Sequence, residues 1–272
     1  MTLLKIFTTL IITLAISASA VWAGDVEDAD AALLKKDYVT ALKKYKSAAV
    51  KNDAYAQFQV GNFYNSNSYG VVQDYAEAMR WYKMAAAQGD ASAQFNIGAM
   101  YDNGQGVVQD YAEAVRWYKL AAAQGDAKAQ YNLGLMYSNG QGVIQDYAEA
   151  VRWYKLAAAQ GHARAQYNLG VMYANGRGVV QDYAEAVRWF KLAAAQGDAK
   201  AQYNLGVMYA TGRGVLQNNV QAHMWFNIAA VKGDKDAVKN RDIAASKMTT
   251  EQIRQAQRLA KECQARNYKN CD

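Results

Sequence analysis

Trp81, Trp117, Trp153, Trp189 and Trp225 stand 36 residues apart without drift. Each lies in nearly the same sentence: Asp110-Tyr-Ala-Glu-Ala-Val-Arg-Trp-Tyr-Lys-Leu-Ala-Ala-Ala-Gln-Gly125, written again from Asp146 to Gly161. A fixed period of this size marks a chain that stacks one supersecondary unit, because one such unit cannot bury its apolar side alone. Five units follow one another, at 53–89, 90–125, 126–161, 162–197 and 198–233. The first is one residue longer, because Asn65-Ser-Asn-Ser-Tyr-Gly70 replaces the five-residue pattern Asp102-Asn-Gly-Gln-Gly106.

Within a unit the apolar period is helical. In the third, Asp126 caps a first helix from about Ala127 to Tyr137, and Ala129, Leu133, Gly134 and Tyr137 share one face. Gly134 is a poor helix former, costing about 1 kcal/mol against alanine. Its recurrence as Gly98, Gly170 and Gly206 predicts a place where two helices approach too closely for a Cβ. Ser138-Asn-Gly-Gln-Gly142 breaks the helix, since glycine tolerates positive φ. Asp146 opens a second helix with Glu149 three residues on, the spacing of a reciprocal capping box. Tyr147, Ala150, Trp153, Tyr154, Ala157 and Ala158 form its apolar stripe, and Gly161 ends it. Stacked pairs of this kind predict an all-α fold, an α/α solenoid or superhelix of five helix-turn-helix repeats.

The ends differ from the repeats, as capping segments must. Residues 24–52 predict degenerate N-terminal capping helices, with Lys44 where a repeat carries tryptophan. Residues 234–272 predict a polar C-terminal helical pair, 235–247 and 249–266, followed by a tail. Residues 1–23 read as a secretory signal: Lys5, a short apolar run from Ile6 to Ile16, then small residues around Ala18, Ala20 and Ala23. Cleavage is expected after Ala20 or Ala23, with Ala23 favoured because the polar Gly24-Asp25 follows. The run is too short to span a bilayer comfortably. The expectation is a periplasmic or secreted protein with no stable membrane span after cleavage. Cys263 and Cys271, alone in the tail, then predict one short disulfide.

The chain has no metal, phosphate or nucleophile motif. Its two histidines take positions held in other units by Asp90, Asp126 and Asp198 (His162) or Val115, Val151 and Val187 (His223), so both read as drift within a repeat. Gly104-x-Gly106 and its copies follow a helix and lack a lysine and hydroxyl, so they read as turns and not phosphate loops. Asp110 and Glu113 are explained by capping. The net charge of +6 is spread along the array, with no basic stripe interleaved with stacking aromatics, which argues against nucleic acid. The sequence therefore predicts no enzyme, no catalytic residue and no cofactor or metal.

The pattern Ala129-x-x-x-Leu133-Gly134-x-x-Tyr137, Gly140-x-Gly142-Val143, Asp146-Tyr147, Ala150, Trp153-Tyr154, Ala157-Ala158, Gly161 resembles the Sel1-like repeat, a relative of the tetratricopeptide repeat. The resemblance covers about residues 53 to 233. It implies a scaffold or adaptor that binds other proteins, with some exported bacterial members acting in envelope processes. A cysteine-rich branch is linked to β-lactam binding or hydrolysis, but the repeats here carry no cysteine pair. The position after Gly-x-Gly-Val, often proline in the family, is Val72, Val108, Ile144, Val180 or Leu216, which predicts a less rigid loop. The expected function is an exported adaptor for a protein or peptide partner along the inner curve. The alternatives are an envelope enzyme of the β-lactam-hydrolysing type, or a module binding peptidoglycan or another envelope polysaccharide.

One face of each first helix offers a place to dock. It carries Lys128, Tyr131, Asn132 and Leu135 in the third unit, with Ser92, Phe95 and Asn96, then Arg164, Tyr167 and Asn168, then Lys200, Tyr203 and Asn204 as counterparts. The candidate partner-binding residues are Asn96, Asn132, Asn168, Asn204, Lys128, Arg164 and Lys200: amides for a peptide backbone and cations for its carboxylates. The aromatic and aliphatic positions fit packing between repeats as well as binding, and the asparagines and cations fit plain solvent exposure as well as docking.

Overall fold

The computed structural model describes residues 24–231 and 233–271, so the expected signal at 1–23 lies outside the described residues. These residues form fourteen α-helices and no strand. Helix α1 spans 24–34. It is followed by α2 Tyr38–Ala49, α3 Ala54–Asn65, α4 Tyr75–Ala87, α5 Ala91–Asn103 and α6 Tyr111–Ala123. Then come α7 Ala127–Asn139, α8 Tyr147–Ala159, α9 Ala163–Asn175, α10 Tyr183–Ala194, α11 Ala199–Thr211, α12 Asn219–Ala230, α13 Lys235–Ala245 and α14 Thr250–Ala265. The chain divides into two compact units, one ending at Asp126 and the other beginning at Ala127.

In the N-terminal unit each helix from α2 to α5 packs on the next. Helix α1 is held by charge as well as by apolar contact: Asp25 accepts hydrogen bonds from Ser47 (2.8 Å), Lys51 (3.1 Å) and Lys44 (3.2 Å). The lysine that stands at the tryptophan position of α2 therefore ties the terminal helix down. In the C-terminal unit each helix from α7 to α12 packs on the next, and α14 folds back onto α12. Thr249 and Gln252 form a full capping box on α14.

The recurring core is one aromatic against one glycine. Tyr82, Tyr118, Tyr154, Phe190 and Phe226 are the buried residues that follow each repeat tryptophan. Each ring lies over the first-helix glycine of its own unit: a Cβ on Gly98 would sit 2.7 Å from Tyr118, and one on Gly170 would sit 2.6 Å from Phe190. The predicted close approach is thus present and its partner identified. The Gly-x-Gly turn has two separate causes. Gly176 caps α9 in the left-handed conformation at φ 65°. Gly178 lies against the backbone of Tyr147 in the preceding repeat, where any Cβ would collide.

One expectation needs correction. The second helices do not close a capping box. Asp110 accepts from Ala112 and Glu113 N–H, but its own N–H already donates to Tyr101 C=O at 3.0 Å. Glu113 is left to accept from the Trp117 indole (2.8 Å) and Arg116. The loop is also pinned without proline. Gln109, Gln145, Gln181 and Gln217 donate to the carbonyls of Asp102, Ser138, Ala174 and Ala210 at 2.7–2.9 Å, while Val108 beside Gln109 is left 89% exposed.

Candidate functional site

The residues singled out for partner binding divide between the two units. Asn96 lies on α5; Lys128 and Asn132 lie on α7, Arg164 and Asn168 on α9, and Lys200 and Asn204 on α11. Each cation is four residues before its asparagine, so both share one helix face. Lys128, Arg164 and Lys200 are exposed and the four asparagines are half-buried.

Half-burial has a cause the sequence did not reveal. The asparagines reach back to tyrosines of a preceding repeat. Asn168 lies beside the hydroxyls of Tyr131 and Tyr154, and Asn204 beside that of Tyr167. Asn240, the next copy along on α13, donates to Tyr203 at 2.9 Å. In the N-terminal unit Asn96 donates to Asn62 at 3.3 Å, which also accepts from Tyr82 at 2.8 Å. Burial holds Tyr131, Tyr167 and Tyr203 above the ordinary phenol range, so all three are neutral hydroxyls at physiological pH. The amide ladder therefore first serves to fix adjacent repeats.

Beside that ladder the C-terminal unit opens a cleft of about 450 Å³ lined by Tyr131, Arg164, Tyr167, Asn168, Asp198 and Lys200. Asp198 is occupied as the α11 cap, accepting from Ala201 N–H at 2.9 Å. A second cleft of about 330 Å³ shares Tyr167 and reaches Asn204 and Arg213. Three of the seven predicted residues, Arg164, Asn168 and Lys200, meet in the first cleft, and Asn204 lines the second. Lys128, Asn132 and Asn96 line neither cleft. The cleft gathers two cations, one capping carboxylate, two neutral phenols and one amide around an open concavity.

Neither histidine lines either cleft. His162 caps α9 through Nδ1, which accepts from Ala165 N–H at 3.2 Å, and its ring stacks on Tyr131 at 4.6 Å. His223 is buried, and its Nδ1 has no partner among the described residues. Among those residues no group of three or more His, Cys, Asp or Glu is placed to hold a metal ion. Cys263 on α14 and Cys271 are joined in a disulfide with Cα atoms 5.0 Å apart, and both are buried against the last repeat.

Sequence reasoning missed the buried glutamines. Gln57, Gln94, Gln130, Gln166 and Gln202 are 0–6% exposed in first helices. Gln166 donates to Ala158 C=O at 3.1 Å, one of the carbonyls that the end of α8 leaves over, and accepts from Gln196 at 2.8 Å. The signal was available: a polar residue repeated at fixed register beside the buried alanine, where solvent exposure alone would have allowed drift.

Comparisons with known proteins agree with this architecture. The Sel1 repeat family model matches five times, at residues 54–90, 91–126, 127–162, 163–198 and 199–234. A search of curated protein sequences gave no match. Among solved structures the chain is similar to a protective antigen present in uropathogenic Escherichia coli strains, described as having an SLR fold. The identity is 32% and the TM-score 0.83, over 92% of this chain but only 54% of that one. The chain thus spans about half the length of that relative. A Sel1 repeat protein from Oxalobacter formigenes is 33% identical with a TM-score of 0.73, over 88% of this chain and 99% of that one. No helix among the described residues is long and apolar enough to cross a membrane. With five matched repeats covering most of its length, and the same hairpins in the structure, the chain belongs to the Sel1 repeat family.

Proposed function

We propose that the chain is an exported, non-catalytic scaffold that binds a protein or peptide partner along its first helices. The observation that carries this reading is the open cleft between α7, α9 and α11, where Arg164, Asn168 and Lys200 converge with Tyr131 and Tyr167. Cations and half-buried phenols around a concavity suit a polypeptide, whose carbonyls, N–H groups and side chains need both polar and apolar contacts. Export rests on the signal-like residues 1–23, and similarity to a protective antigen agrees with it.

A photo-crosslinking residue at position 164, compared with one at the exposed second-helix position 152, tests the docking face in living cells. A discrete adduct at 164 and none at 152 is expected; equal labelling at both rejects the assignment. Mass measurement of the protein from the cell envelope tests export. A mature chain starting at Gly24 is expected, and a full-length chain confined to the cytoplasm rejects that half of the reading. Turnover of nitrocefin by the purified chain would reject the non-catalytic half.

A further inference from the structure

We infer that the partner segment held by residues 127–272 is an acidic peptide in extended, polyproline-II-like conformation, with one carboxylate in every three residues. The inference rests on the docking reading above and specifies its chemistry.

The first observation is a run of charge. Lys128, Arg164 and Lys200 occupy the second position of α7, α9 and α11, and the run stops where the next copy is Asp236 on α13. Cations are disfavoured at that position, because the helix N-terminus carries partial positive charge. The second helices follow the ordinary rule, with Glu77, Glu113, Glu149 and Glu185 in their first turns, and the first helices α5, α7, α9 and α11 carry no acid there. Helix stability therefore does not explain the three cations. Internal pairing does not explain Arg164 or Lys200 either. Arg116, Arg152 and Arg188 on second helices each pair with a glutamate three residues back, whereas Arg164 and Lys200 make no ion pair among the described residues. One charge has also been removed nearby, since His162 replaces the aspartate cap next to Arg164.

The second observation is spacing. His162, at the start of α9, stacks on Tyr131 of α7 at 4.6 Å; helices in such side-chain contact lie roughly 8–10 Å apart, and three residues of polyproline II advance about 9 Å and return to the same face. A carboxylate at every third residue thus meets one cation per repeat. The intervening residues lie over Tyr131 and Tyr167, and Asn168 is within reach of the backbone. A neutral polysaccharide is less suited, because it carries no carboxylate for Arg164 and Lys200 to meet.

Fluorescence anisotropy with the purified full chain and a labelled peptide repeating Glu-Pro-Ala tests the inference. The comparison peptides repeat Lys-Pro-Ala, or keep the acidic composition with all glutamates contiguous. Period-three acidic peptide is expected to bind at least tenfold more tightly than either, with affinity falling as salt rises. A Lys128→Ser, Arg164→Ser, Lys200→Ser variant, which copies Ser92 and should keep its helical circular dichroism, is expected to lose at least tenfold. No binding, equal binding by the contiguous peptide, or equal binding by the triple variant overturns the inference. So does tighter binding of polygalacturonate, in favour of an acidic glycan. If the peptides fail while position 164 still crosslinks selectively in cells, the docking face stands and only its acidic chemistry is rejected.

Discussion

Gly170→Ala should destabilise the protein, although alanine is the better helix former. The substitution removes glycine from the middle of α9, which by intrinsic propensity gains about 1 kcal/mol. The new Cβ would meet Phe190 ring atoms at 2.6 and 2.7 Å and the Ala186 carbonyl at 3.2 Å. Phe190 is 1% exposed, so the ring cannot swing into solvent, and the backbone carbonyl belongs to α10. Overpacking of this kind costs about 1–3 kcal/mol. Three simultaneous contacts put this site at the upper end, for a net loss of about 2 kcal/mol and a fall in melting temperature of about 4–8 °C. Calorimetry of wild type and variant at one concentration reads this directly. A double-mutant cycle with Phe190→Leu separates cause from coincidence. The smaller side chain should shrink the penalty of Gly170→Ala or reverse its sign. A higher melting temperature for Gly170→Ala alone would refute the close-approach argument.

Three further perturbations follow from the same geometry. Gln166→Leu strands the Ala158 carbonyl in the interior, so urea unfolding should show a loss of about 1–3 kcal/mol. Burial lowers the His223 pKa below its ordinary value, so its neutral form favours the fold; that stability is complete above about pH 6.5 and is lost as pH falls through the lowered value. His223→Val, copying Val187, should flatten the pH dependence below about 6.5, and an unchanged profile would show that His223 is not its source. Asp25 is lowered to about 2 by hydrogen bonds from Ser47, Lys51 and Lys44, and its contribution is present above the ordinary carboxylate value and lost as pH falls towards 2. Asp25→Asn should cost about 1 kcal/mol at neutral pH after allowance for solvent screening, and should loosen 24–34 first in hydrogen exchange.

The helices were legible because their signals are local. Caps at Asp146 and Thr249, breaks at Gly140 and Gly161, and a stripe through Tyr147, Trp153 and Tyr154 sit within a few residues of one another. The candidate site was legible only in part. Arg164, Asn168 and Lys200 could be placed on one face by counting, but that Asn168 lies beside Tyr131 is a proximity between residues 37 apart, which no local pattern reports. Gln166 was overlooked for the same reason, since its partners are the end of α8 and Gln196. Glu149 was assigned to a capping box because the motif spacing is right. The Asp146 N–H was already donating to Tyr137 C=O at 2.9 Å, a partner that appears only when the loop closes.

By itself the sequence determined the repeat, its two helices, its turns and the glycine that must admit a neighbour, because periodicity and backbone preference act over a few residues. Only the tertiary structure decided which ring fills the space over that glycine, which amides are committed to tyrosines, and which cations face an open cleft. Those outcomes depend on groups from successive repeats competing for the same hydrogen bonds and the same volume, and that competition begins only when the hairpins stack.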